Sequence, residues 1–409
     1  MRRTILFLFS ILLLAATSAS AQYVPVRGAA WERRTPEQVG MDAAKLQEAI
    51  AFAQQSENQQ PRDLETVHYT TFGREPFGDA VGPFRPRGPQ TGVIIRNGYI
   101  VAEWGEPERV DMTFSVTKSF VSTVVGLAWD RKMIPDLNVP VYRSMGPVLP
   151  AEPERTAAES SVGPLGARRP IPLFDTDHNR TITWDHLLRQ VSDWEGTLWG
   201  KPEWADRPSS EPATWMTRSR AGAGSAYEYN DTRVNVLALA ALNVWRRPLP
   251  EVLREYVMDP IGASATWRWF GYDNSWIILD GQLVQSVSGG GHWGGGMFIN
   301  AFDQARFGLL TLRDGRWGNE QILSAEWLRL ARTPTPANDG YGFMNFFLNT
   351  GQRMLPSAPE QVWAHRGAGT NLIYCDPVND IVIVARWIQD RASDGIVQRV
   401  LAAITEPQT

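Results

Sequence analysis

Cysteine is nearly missing from this chain of 409 residues: Cys375 is the single one. No intrachain disulfide can form, and a structural zinc site made of cysteines is excluded by the same count. Lysine is almost as scarce. Of 40 basic residues, 36 are arginine and four are lysine, at 45, 118, 132 and 201. Arginine alone can keep a surface charged, so each lysine invites a question. Neither sign of charge dominates. A net charge of −4 and a pI of about 5.8 recommend neither nucleic acid nor an anionic membrane as partner. The five histidines have no metal-ligand spacing, and both H-E-x-x-H and G-x-S-x-G are absent. The chain therefore lacks the zincin helix and the α/β-hydrolase elbow, and no metal or cofactor is expected. Beyond the N-terminus no apolar run reaches the roughly 20 residues of a membrane helix.

What is present describes a folded protein with a large core: 43% hydrophobic residues, 17 Trp, 35 Gly and 28 Pro. Arg2 and Arg3, the apolar stretch Ile5 to Ala16 and the small residues Ala19-Ser20-Ala21 have the form of a secretory signal. Residues 1–21 are expected to be removed, leaving 22–409 as one secreted or periplasmic catalytic domain with no membrane insertion. Met41 to Gln55 has helical spacing. Val93-Ile94-Ile95 and Tyr99-Ile100-Val101 flank Asn97-Gly98, a strong hairpin signal. Leu372 to Cys375 and Ile381 to Trp387 form a second strand pair, and Ser393 to Ile404 a closing helix. The middle holds Pro/Arg-rich loops between Pro147 and Pro172 and helical stretches at Thr183 to Arg189 and Thr232 to Trp245. The expected class is α+β: an antiparallel sheet flanked by N- and C-terminal helices. The sheet part covers about 27–135 plus 285–409, and about 136–284 forms a mostly helical inserted subdomain. Gly289 to Gly294 matches G-x-G-x-x-G formally. No apolar strand precedes it, so a flexible or close-packed glycine loop, with His292 and Trp293 at its tip, is the better reading.

Chemistry concentrates in three places. Ser115-Val116-Thr117-Lys118 is an S-x-x-K, and on a helix positions i and i+3 share a face. A serine hydroxyl needs a base beside it, and a lysine can serve when burial and neighbours disfavour its charged form. Tyr229-Asn230-Asp231 follows just ahead of the Thr232 helix, and His365-Arg366-Gly367 lies near the C-terminus. These motifs, in this order and spacing, resemble those of the serine β-lactamase and penicillin-binding superfamily. They are most similar to its class C branch and to the β-lactamase-like carboxylesterases. Further matching stretches are Ile182 to Leu188, Pro260-Ile261-Gly262, Gly295-Gly296 with Arg306-Phe307-Gly308, and Tyr341-Gly342-Phe343.

The resemblance implies a β-lactamase/transpeptidase-like fold with Ser115 as nucleophile, Lys118 as its activating partner and Tyr229 sharing the acid/base work. It implies an oxyanion hole made by the backbone N–H groups of Ser115 and Ala368. Substrate contacts would fall to Asp231, His365, Arg366 and Gly367, with Trp194 and Trp199 as a candidate aromatic wall. Two departures bear on specificity. His365 stands where lactamases and transpeptidases carry the Lys of Lys-Thr-Gly, which helps bind a substrate carboxylate. Asp231 replaces the Asn of Tyr-x-Asn and would disfavour an anionic substrate unless Lys118 or Arg366 neutralises it. The expectation is an exported serine hydrolase of small-molecule carboxylic esters or small amides. The alternatives are a β-lactamase or D-alanyl-peptide hydrolase, and a non-catalytic envelope binding protein.

Overall fold

The two hairpins read from the sequence meet edge to edge. A computed structural model of the chain describes residues 23–28, 30–151, 169–291 and 293–406. The expected signal segment 1–21, the middle of the Pro/Arg-rich loop and His292 lie outside the described residues.

In chain order, helices α1 (Ala43–Gln55) and α2 (Leu64–Thr70) precede strands β1 (Thr91–Arg96), β2 (Tyr99–Trp104) and β3 (Asp111–Met112). Helix α3 (Thr117–Asp130) follows, then β4 (Leu149–Pro150), α4 (Trp184–Leu188), a small hairpin of β5 (Thr197–Leu198) and β6 (Lys201–Pro202), α5 (Asp231–Trp245) and α6 (Leu249–Leu253). Next come β7 (Arg268–Leu279), β8 (Gln282–Val287), β9 (Gly296–Ile299) and α7 (Ala301–Leu312). The chain closes with β10 (Arg316–Trp317), β11 (Glu320–Gln321), α8 (Ala325–Ala331), β12 (Phe347–Leu348), β13 (Trp363–Gly367), β14 (Asn371–Asp376), β15 (Ile381–Arg386) and α9 (Ser393–Ala402).

The main sheet has the order β12-β13-β14-β15-β1-β2 and is antiparallel throughout. Thr91 pairs with Arg386 and Arg96 with Ile381, so the N-terminal hairpin docks on the C-terminal one. Asn97 and Gly98 adopt φ of 53° and 86°, the left-handed pair that a two-residue hairpin turn needs. Strands β1, β14 and β15 are buried at every position, which is why they read as continuous apolar runs. Alternation sorts the side chains by face. Ile94, Leu372, Tyr374, Ile381 and Ile383 pack with Leu46, Ile50, Ile396, Val397 and Val400 of α1 and α9. Val93, Ile95, Ile373, Cys375, Val382 and Val384 face the larger core with Phe120 and Val124 of α3 and Phe307 of α7.

The expected antiparallel α+β class is observed. Within 136–284 the structure holds the expected helices and adds a long hairpin, β7–β8, turned at Asp280 and Gly281. Together with β3, β4 and β9 it makes a second, five-stranded sheet. This sheet carries the glycine loop from the end of β8 to β9, and that loop leans against the start of α3.

Candidate active site

Ser115 sits in a 3-10 turn, Phe114–Val116, that runs directly into α3. Its position at the head of a 14-residue helix favours negative charge developing on its oxygen. The turn is pinned from both sides. Thr113 N donates to Met297 O at 2.9 Å, and Met297 N donates to Thr117 Oγ1 at 2.9 Å, so β9 clamps the residues around the serine. Phe114 is held at φ 47°, a conformation a bulky residue adopts only under constraint. The glycine loop supplies part of that constraint. A Cβ on Gly290 would fall 2.1 Å from Phe114 O and 2.4 Å from Thr117 Oγ1, so only glycine fits there. Of the flexible and close-packed readings of this loop, its described residues fit the close-packed one.

Lys118 Nζ lies 2.9 Å from Ser115 Oγ. The lysine has no exposed surface. Its other neighbours are Asp231 Oδ1 at 2.7 Å, Gly289 O at 3.4 Å and the Tyr229 ring, 5.0 Å away at its centroid. Asp231 is the first residue of α5, and Asn230 caps that helix by accepting from Arg233 N at 3.1 Å. The cap thereby sets where the Asp231 carboxylate points. Tyr229, just outside the helix, has its phenol beside Ser115. Burial, and then the Asp231 charge, push the Tyr229 phenol well above its ordinary value, against the opposing pull of Ser115 and Arg207. Ser115, Lys118, Tyr229 and Asp231 are thus brought together.

Two residues that the sequence reading did not single out complete the cluster. Arg207 reaches Asp231 Oδ2 at 3.1 Å, Asp206 Oδ1 at 2.5 Å and the face of Tyr229 at 5.1 Å. Asp206 also accepts from Asp231 N. They lie in the loop after Trp204, with no motif to mark them. Lys118, Asp231, Arg207 and Asp206 form an alternating row of charges with no net sign. The charge of Asp231 is neutralised by Lys118 and Arg207, and Arg366 takes no part. It bonds Asp390 Oδ1 at 2.7 Å instead.

Strand β13 forms the opposite wall. A Cβ on Gly367 would stand 2.3 Å from Thr113 O and 3.1 Å from Ser115 N, so strand and serine turn touch at this glycine. Ala368 follows at the exposed tip of the β13–β14 connection.

The structure places three expected substrate contacts elsewhere. His365 has no exposed surface; its Nδ1 lies 2.9 Å from Ser119 Oγ, and its ring packs on Phe307 and Phe346. Burial pushes it down to about 3, so it is a neutral side chain bracing β13 against α3. Trp194 is likewise enclosed and donates to Leu173 O at 2.6 Å, and Trp199 is 7% exposed within the same core. None of the three offers useful surface to a ligand in this conformation, because each is packed into the core.

An antiparallel sheet beside a helix that presents a paired Ser and Lys is the architecture of the β-lactamase and penicillin-binding class of hydrolases. The family profile described as Beta-lactamase matches residues 92–394, and the chain belongs to that family. A comparison with curated protein sequences returns no match. Among solved structures, a penicillin-binding protein homologue from Caulobacter crescentus is 12% identical with a TM-score of 0.53, over 89% of this chain and 99% of its own. EstCE1, described as a hydrolase with promiscuous acyltransferase activity, is 17% identical with a TM-score of 0.52, covering 89% and 99%. A family VIII carboxylesterase is 15% identical with a TM-score of 0.52, covering 89% and 98%. At such identities the likeness is one of fold, shared here by esterases and penicillin-binding homologues alike.

Proposed function

We propose that the chain is an exported serine hydrolase that cleaves uncharged carboxylic esters through an acyl-enzyme on Ser115. The observation that carries this reading is the 2.9 Å contact between Ser115 Oγ and a fully buried Lys118 Nζ. In the first step Ser115 Oγ bonds to the ester carbonyl carbon, and its proton passes to the Lys118–Tyr229–Asp231 unit, whose members titrate together. The carbonyl oxygen becomes an oxyanion held by the N–H groups of Ser115 and Ala368. The C–O bond to the alcohol then breaks. Tyr229, kept as a phenol by burial and Asp231, is suited to hand a proton to the departing oxygen. Water repeats the sequence on the acyl-enzyme and frees the acid. Because the Lys118–Tyr229 pair must supply a proton acceptor, activity should rise with pH through neutrality; a profile flat from pH 5 to 9 would count against this role.

The preference for neutral esters over lactams rests on charge. The two arginines flanking the site are already ion-paired, Arg366 with Asp390 and Arg207 with Asp206 and Asp231. His365, at the place of the carboxylate-binding Lys, is buried. Turnover of p-nitrophenyl acetate beside a chromogenic cephalosporin, with Ser115→Ala as blank, tests the assignment. We expect fast ester and slow lactam hydrolysis, and a loss of about 10⁴-fold or more in the variant. The reverse ratio would make the chain a lactam hydrolase. Activity surviving in Ser115→Ala would sink the mechanism. Export is tested by the N-terminus of protein secreted from a bacterial host, expected at Gln22.

A further inference from the structure

A cavity of about 570 Å³ opens beside the serine turn. Phe114, Trp387 and the connection Gly367–Thr370 form its inner wall, so Ala368, one proposed oxyanion donor, lines it, and Ser115, the other, follows Phe114 of that wall in the chain. Its outer wall comes from residues 58–87, including Leu64, Val67 and Phe72. That segment precedes the span 92–394 matched by the family profile. It is firmly seated. Arg87 donates to Asn58 O at 2.7 Å and Gln60 O at 2.9 Å, His68 Nε2 lies 2.7 Å from Gly78 O, and Lys201 Nζ reaches Asp79 O at 2.7 Å. Phe72 also lies under the Arg207 guanidinium, 5.7 Å from ring centroid to cation, which ties the outer wall to the charged row around Tyr229.

The lining decides the chemistry. Its charged members are already engaged, Arg87 with Glu57 at 3.1 Å and Asp390 with Arg366 at 2.7 Å, and the remaining surface is dominated by aromatic and aliphatic groups. A preformed apolar space of this volume holds a drug-sized organic group and rewards an uncharged one.

We infer that this cavity is a substrate subsite for a bulky, uncharged, apolar portion of the ester, contributed by either its acid or its alcohol. The inference rests on the ester-hydrolase reading above for its location at the reacting carbonyl. Calorimetric titration of Ser115→Ala separates the two, since it needs no turnover. p-Nitrophenyl hexanoate and hexyl acetate carry the long group on opposite sides of the ester, with p-nitrophenyl acetate and ethyl acetate as their short references. One long ester is expected to bind about tenfold or more tighter than its short reference. Val67→Trp, added to Ser115→Ala, should remove that difference by filling the space. With Ser115 intact, the ratio of kcat/KM for the long ester to the short one should fall by a similar factor. Phe72→Ala, which enlarges the space, should raise the ratio for branched or aryl groups and covers the case that Val67→Trp does not fold. Equal binding of long and short esters in both series, or a preference that both substitutions leave intact, would overturn the subsite. Absence of turnover with every ester would instead strike the hydrolase reading and leave the binding result standing.

Discussion

Asp231 is ion-paired with two cations at once, Lys118 on one oxygen and Arg207 on the other, with almost no solvent contact. A buried carboxylate in that position holds Tyr229 in its phenol form, so removing its charge has a defined sign. Asp231→Asn restores the residue type of the related Tyr-x-Asn motif. Without the negative charge, the coupled Lys118–Tyr229 pair yields its proton acceptor more readily, so the acid limb of the pH–rate profile should move to lower pH. A limb that stays in place would show that Asp231 does not tune proton transfer. At this scale the sequence disclosed residue types better than directions. Ser115 and Lys118 were legible because helical spacing alone puts i and i+3 on one face. His365 and Trp194 were misplaced because nothing in one sequence says whether a side chain on an identified strand or loop turns to the cleft or to the core. Arg207 was invisible because it meets Asp231 only through a loop closure.

Helix α5 shows how an element aims a functional group. Asn230 caps it, accepts from Arg233 N, donates to Glu203 O at 2.8 Å and receives no solvent. Asn230→Ala should lower unfolding free energy by about 1–2 kcal/mol, measured by chemical denaturation. Because Asp231 begins the helix, the same variant should also lower kcat; a stability loss with kcat unchanged would mean the cap does not position the carboxylate. Elements were readable where one rule governed them. Asn97-Gly98 between apolar runs gave the first hairpin, and strands buried on both faces gave the second pair. The β7–β8 hairpin has the same grammar, Ile277-Ile278-Leu279, then Asp280-Gly281, then Gln282-Leu283-Val284. It escaped because Phe270, Trp276 and Leu283 stand on its exposed side, so apolar residues occupy both faces and the two-residue alternation is blurred.

The molecule as a whole is tied at its ends. Met41 bridges Ile404, Asp42 N donates to Ala403 O at 2.7 Å, and α1 packs on α9 over the outer face of the sheet. A chain ending at Ala392 would uncover Leu46, Ile50 and the outer side of β1, β14 and β15. Such a chain should show no cooperative thermal transition and no ester turnover, read by calorimetry and p-nitrophenyl acetate hydrolysis; a truncated protein that still melts sharply would mean α9 is dispensable. The α+β class and the family were visible in the sequence because the three motifs stand in an order and spacing that resemble one superfamily. The second sheet was not, since its strands come from both the main body and the inserted stretch.

The pairing of residue 91 with residue 386 has a consequence in time. Ribosomes deliver Ser115, Lys118 and Tyr229 well before the strand that carries Gly367, and long-range pairings of this kind close last and slowly. On the proposed serine mechanism, a chain still being made carries Ser115 without the wall at Gly367 that completes its site. Under that reading, hydrolysis becomes possible only once the strands at the carboxyl end have been delivered and paired.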